Sequence, residues 1–124
     1  RPFIDPERIP DQGILKDPSD STDEHIQCSR AEDFSYWIIY VTNGREFRLN
    51  TDLLREKKYQ AWWYDPRTGA VFGREGEEIR KPFKIDIENR VLSMDPPGEK
   101  GDGQDWILVL DEVSARYGVP GKVN

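Results

Sequence analysis

The sequence predicts an all-β domain, an antiparallel β-sandwich of about seven to nine short strands. Short β-rich runs follow one another from His25 onward, each closed by Gly, Pro, Asn or Asp. A regular helix is not expected in the proline-rich residues 1–24 or in the short 51–56, and 113–124 show no amphipathic pattern. Four Trp, five Tyr and five Phe supply large buried areas in a chain that is otherwise 34% charged, so the core is expected to be aromatic-rich.

Residues 1–24 hold four prolines and scattered apolar residues, Phe3, Ile4, Ile9, Ile14 and Leu15. Proline removes amide donors and fixes φ, so this segment reads as an extended lead-in that packs along something else. The sandwich itself is assigned to 25–112. Its first strand is 25–31, with Ile26 and Cys28 alternating against His25, Gln27 and Ser29. The second, 34–42, is apolar on both faces and therefore central. It ends at Asn43-Gly44, a dipeptide suited to a tight hairpin, from which REFRLN is expected to return with Phe47 and Leu49 on one face. TDLLRE at 51–56 is too short for a helix and is expected to make a single turn, Leu53 and Leu54 closing one end of the core.

In the strand KYQAWWYD, Tyr59, Ala61, Trp63 and Asp65 face one way and Lys58, Gln60, Trp62 and Tyr64 the other. Lys58 and Gln60 mark the second set as the more polar face, so Ala61 and Trp63 are assigned to the core. Asp65-Pro66-Arg67-Thr68-Gly69 then has turn chemistry, with Pro presetting φ and Gly supplying a left-handed residue. It should return the chain into 70–74. Further strands are KPFKIDI, RVLSM and DWILVLDE, the last apolar on both faces and so mid-sheet. The loop DPPGEKGDGQD is irregular by composition. Residues 113–124 show no pattern and are expected to fray as a tail.

A net charge of -6 disfavours sequence-independent binding to phosphate backbones, which depends on clustered cations releasing counterions. The local basic groups, Arg55, Lys57 and Lys58, then Arg80, Lys81 and Lys84, sit beside acids and read as solvated faces. Nucleic acid is not an expected partner. The longest apolar run, Trp37 to Val41, is far short of the ~20 residues that cross a bilayer, and no signal peptide is read. The chain opens on Arg1, as expected of a piece of a longer protein or a processed product.

Searching for chemistry returns little. The single histidine, His25, would have to serve any Ser or Cys nucleophile, and His25 and Cys28, three apart in a strand, point to opposite faces. Too few His and Cys are present for zinc. The acidic loops at 17–24 and 101–105 lack the ligand spacing of an EF-hand, and the acids at turns read as caps rather than a glycosidase pair. No catalytic residue, metal or cofactor is assigned. Trp62 and Tyr64, on the more polar face, are the candidate ligand-binding residues, able either to stack on sugar rings or to pack against a neighbouring domain.

RIPDQ at 8–12, YWIIYVTNGREFRLN, AWWYDPRTG, and PPG followed by GQDWILVLDE occur in an order that resembles the family described as the putative collagen-binding domain of a collagenase. The resemblance runs from about residue 1 to residue 112. One departure is Val41-Thr42-Asn43-Gly44, where the family commonly has a Pro-Thr-Gly turn. The resemblance implies a non-catalytic C-terminal sandwich that follows a TIM-barrel glycoside hydrolase module of the apiosidase-like, cellulase-like type. It further implies an extracellular or periplasmic location, and Phe3, Ile4 and one aromatic sheet face are the expected interdomain contact. The catalytic barrel of the same chain is the expected partner, with polysaccharide or collagen as alternative ligands.

Overall fold

The computed structural model describes residues 7–17 and 25–121. Among them the fold is all-β: nine antiparallel strands in two facing sheets, with three single 3₁₀ turns. The strands are β1 (Ile9–Pro10), β2 (Ile26–Arg30), β3 (Tyr36–Val41), β4 (Phe47–Asn50), β5 (Tyr59–Tyr64), β6 (Val71–Phe72), β7 (Phe83–Lys84), β8 (Val91–Met94) and β9 (Trp106–Glu112). The large sheet runs β1-β2-β3-β9-β5-β6, and β7 shares the outer edge of β5 with β6. β4 and β8 form the small sheet.

β3 and β9, apolar on both faces, lie mid-sheet side by side, Trp37 opposite Leu110 and Ile39 opposite Leu108. Their inner residues join Ile26, Cys28, Tyr59, Ala61 and Trp63 against Phe47, Leu49 and Met94 of the small sheet. Aromatic rings occupy the middle. Trp63 meets Phe47 at 6.1 Å and Trp106 at 6.4 Å between centroids, both edge-on, the geometry that sets positive ring edge against negative face.

Several expectations change. Asn43 and Gly44 do take left-handed φ values of 68° and 61°, but the chain does not fold back as a hairpin. Both edges of β3 are already filled by β2 and β9, so β4 crosses to the other sheet. The crossing is braced by the later glycine-rich loop: Gly101 N donates to Asn43 O at 2.9 Å and Lys100 Nζ to Gly44 O at 3.0 Å. A Cβ at Gly44 would lie 2.8 Å from the Glu99 carbonyl, so the position is closed to larger residues. Of the two leucines in the 3₁₀ turn Thr51–Leu54, Leu54 reaches the core while Leu53 is 36% exposed. KPFKIDI keeps just two residues in strand geometry, Phe83 and Lys84, although Ile85 and Ile87 still lean on the core.

Within the lead-in, β1 pairs with β2, and residues 14 and 15 pack on the same core. Ile14 and Leu15 are buried in it, and the Gln12 side-chain amide pairs with the edge of β2 as a strand would, accepting from Cys28 N at 2.5 Å and donating to Ile26 O at 2.9 Å. Asp11 adds an ion pair to Arg30 at 2.8 Å. The tail, expected to fray, is built over residues 113–121: a 3₁₀ turn, Val113–Ala115, and a left-handed Arg116 (φ 56°) send it across the outer face of the large sheet.

Candidate interaction face

The outer face of the large sheet is where the sequence places Trp62 and Tyr64. Register sets rows across it, and beside the row of Tyr36, Asp111 and Gln60 lie the two that hold these residues. One is Ser29, Ile38, Val109 and Trp62; the other is Gln27, Tyr40, Ile107, Tyr64 and Val71.

The first row is closed. Trp62 is 1% exposed, in a cluster with Val71 and Val109 on which Tyr64, Ile79, Ile107 and Val119 also pack. Its indole Nε1 donates to Asp111 Oδ2 at 3.0 Å, which satisfies the one polar atom of a buried ring. The exposure expected from polar Lys58 and Gln60 in the same strand therefore does not extend to Trp62. Tail residues supply the cover: Tyr117 sets its ring edge-on to Tyr36 at 6.2 Å, its hydroxyl lies 3.1 Å from Ser35 Oγ, and Val119 lies over the Trp62 cluster.

The second row is half-buried. Tyr64 keeps part of its surface, and Gly121 sits so near that a Cβ there would be 2.9 Å from the ring. Ile107 stands beside it and Tyr40 one strand further on, a row no single segment of sequence reveals because the three belong to three strands. Tyr40 donates to Asp105 Oδ2 at 2.5 Å, and this bond to a carboxylate holds the phenol proton, pushing its pKa up to about 12.

At the same end, Arg67 of the AWWYDPRTG turn bonds Asp65 Oδ1 at 2.9 Å and reaches the glycine-rich loop at Gly103 O (3.1 Å) and Gln104 Oε1 (2.9 Å). Asp65 Oδ1 also accepts from Arg67 N at 2.8 Å, and Gly69 at φ 79° closes the turn. The turn thus forms as its residues predict, with Arg67 as an unanticipated strut.

The two residues weighed as a nucleophile and its base, Cys28 and His25, stand in different surroundings. Cys28 is buried, and burial, with Asp11 nearby, pushes its thiol up to about 12, far from a reactive thiolate. His25 is exposed at the strand mouth. Among the described residues no three His, Cys, Asp or Glu side chains come together as a metal-ligand set; most of the 17–24 loop lies outside those residues, as do Phe3 and Ile4. No helix among them is long and apolar enough to cross a membrane.

Among curated proteins nothing matches. Eight chains of solved structures match, and two of them illustrate the shared fold. One, titled a glycoside hydrolase, is 23% identical with a TM-score of 0.62, over 87% of this chain and 22% of that one. The other, a glycoside hydrolase family 5 protein from Bacteroides vulgatus ATCC 8482, is 22% identical with a TM-score of 0.67, over 99% of this chain and 24% of that one. The chain thus spans about a quarter of the length of either. The family model described as "Putative collagen-binding domain of a collagenase" matches residues 9–111, nearly the whole sandwich, and the chain belongs to that family.

Proposed function

We propose that this chain is a non-catalytic accessory module of a glycoside hydrolase, packed on the catalytic domain of the same polypeptide. The observation that carries the reading is the coverage of the second neighbour: 99% of this chain corresponds to 24% of a family 5 glycoside hydrolase. The remaining three-quarters of such a protein leaves room for a separate catalytic domain, of the TIM-barrel type implied by the resemblance. Phe3 and Ile4 are proposed as part of the interdomain contact, and the location proposed is extracellular or periplasmic.

Polysaccharide binding is the second reading. It rests on Tyr64, whose ring is partly open, whereas Trp62 is covered and would contribute only if the tail moved away. Collagen as ligand rests on the family description alone.

Deleting this module from the longer protein tests the proposal. The expected result is a lower melting temperature for the catalytic domain with the same substrate specificity. An unchanged melting temperature and unchanged activity would overturn it.

A further inference from the structure

Among the described residues, three sheet borders of this sandwich are covered by its own chain, and one is not. At β2 the lead-in pairs through β1 and the Gln12 amide. On β5, β6 and β7 divide the edge. At β4, Leu15 bridges Leu49 and Lys16 N donates to Arg48 O at 2.9 Å. β8 pairs with β4 on one side and has no strand on the other among the described residues.

The phase of the β4–β8 ladder says which groups that edge presents. Thr51 N donates to Arg90 O at 3.1 Å, so the bonded pairs two and four residues further along are Leu49 with Leu92 and Phe47 with Met94. The amides and carbonyls of Val91 and Ser93 therefore point away from β4. Their edge borders a cleft of about 450 Å³ whose floor includes Trp63 and whose rim carries Glu75, Asp86 and Asp95. Arg74, the cation that lines it, donates to Lys84 O and lies over the Phe83 ring, 5.5 Å from its centroid. Lys100 meets Asp95 at 2.7 Å, with both side chains more than half exposed, so water screens that pair. The cleft offers backbone donors and acceptors at strand spacing, an apolar floor and an acidic rim.

We propose that the open edge of β8 docks an extended, basic segment of another polypeptide, which adds as a strand with alternate side chains toward the floor and toward the carboxylates. Strand addition takes its affinity from main-chain bonds and its selectivity from the alternating pockets. Charge decides between partners. A second copy would bring its own three rim carboxylates and a further net -6, so self-pairing is opposed, whereas lysine or arginine at alternate positions is matched. The proposal stands apart from the accessory-module reading, because it concerns an edge of the isolated chain.

The test uses the chain with a blocked peptide alternating valine and lysine, and a counterpart with glutamate for lysine. The expected result is slowed amide exchange and shifted amide resonances at Val91 and Ser93, with the glutamate peptide on the order of tenfold weaker or more. Ser93→Pro removes an amide that β4 does not use and should abolish binding. The Glu75→Gln, Asp86→Asn, Asp95→Asn variant should fold and lose the preference between peptides, which decides the matter if the proline variant does not fold. Equal binding of both peptides by the parent chain, or no change at 91–95, overturns the proposal. So does protection of Val91 and Ser93 that rises with the concentration of the chain alone, the mark of self-pairing.

Discussion

Trp62 and Asp111 are diagonal neighbours on β5 and β9, and the indole N–H of one donates to the carboxylate of the other at 3.0 Å with both side chains buried. The pair makes the outer sheet face a second, smaller core rather than an open surface. Asp111→Ala would leave the indole N–H without an acceptor in a site closed to water, at a cost of about 1–3 kcal/mol. Asp111→Asn keeps an oxygen acceptor and should cost less. Denaturant midpoints of the two variants check the order.

The tail should be structural. Ending the chain after Ala115 removes Tyr117 and Val119 from the outer face, and uncovering their contacts should lower stability by roughly 2–4 kcal/mol. Tryptophan emission should shift to the red as Trp62 meets water. Unchanged emission would mean that the tail does not provide the cover.

Tyr40 predicts a stability change in alkali. Its pKa is raised to about 12 chiefly by the bond to Asp105, so the neutral phenol is favoured in the folded chain relative to the usual 10.0 of the unfolded one. That contribution is complete below pH 10 and is lost as pH rises through about 12. Tyr59, held neutral mainly by burial, acts in the same direction. Melting temperature against pH should therefore fall less steeply in this window for Tyr40→Phe than for the parent.

Arg67 ties the turn after β5 to the loop before β9. Arg67→Ala should cost about 1–2 kcal/mol, a modest figure because the guanidinium is partly exposed and screened. Amide exchange should quicken at Gln104 and its neighbours while β2 and β3 stay protected. Lysine at 67 should not restore the loss, since it lacks the fork that reaches Asp65 and Gln104 together.

Much of the fold was legible because it is written in local alternation. β3 and β9 are central for the reason that both faces are apolar, and Asp65–Gly69 turns as its residues require. What was not legible depends on partners distant in sequence. Asn43-Gly44 reads alike whether the next strand returns or crosses over, and only the occupancy of both β3 edges decides. Polar Lys58 and Gln60 suggested a wet face, whereas Val109, Asp111 and Val119 make the surroundings of Trp62 dry. Tyr117 and Val119 stand two apart in a segment with no repeating pattern, so their seat on the sheet left no periodic signal. Tyr40 leaves no local signal, because only the register of three strands sets it in one row with Ile107 and Tyr64.

Calorimetry of the longer protein, with and without this module, tests the accessory reading most directly. Packing on the catalytic domain predicts one cooperative transition for the intact protein, and a lower melting temperature for the catalytic domain alone. Two independent transitions, with the catalytic one unmoved by removal of the module, would contradict it.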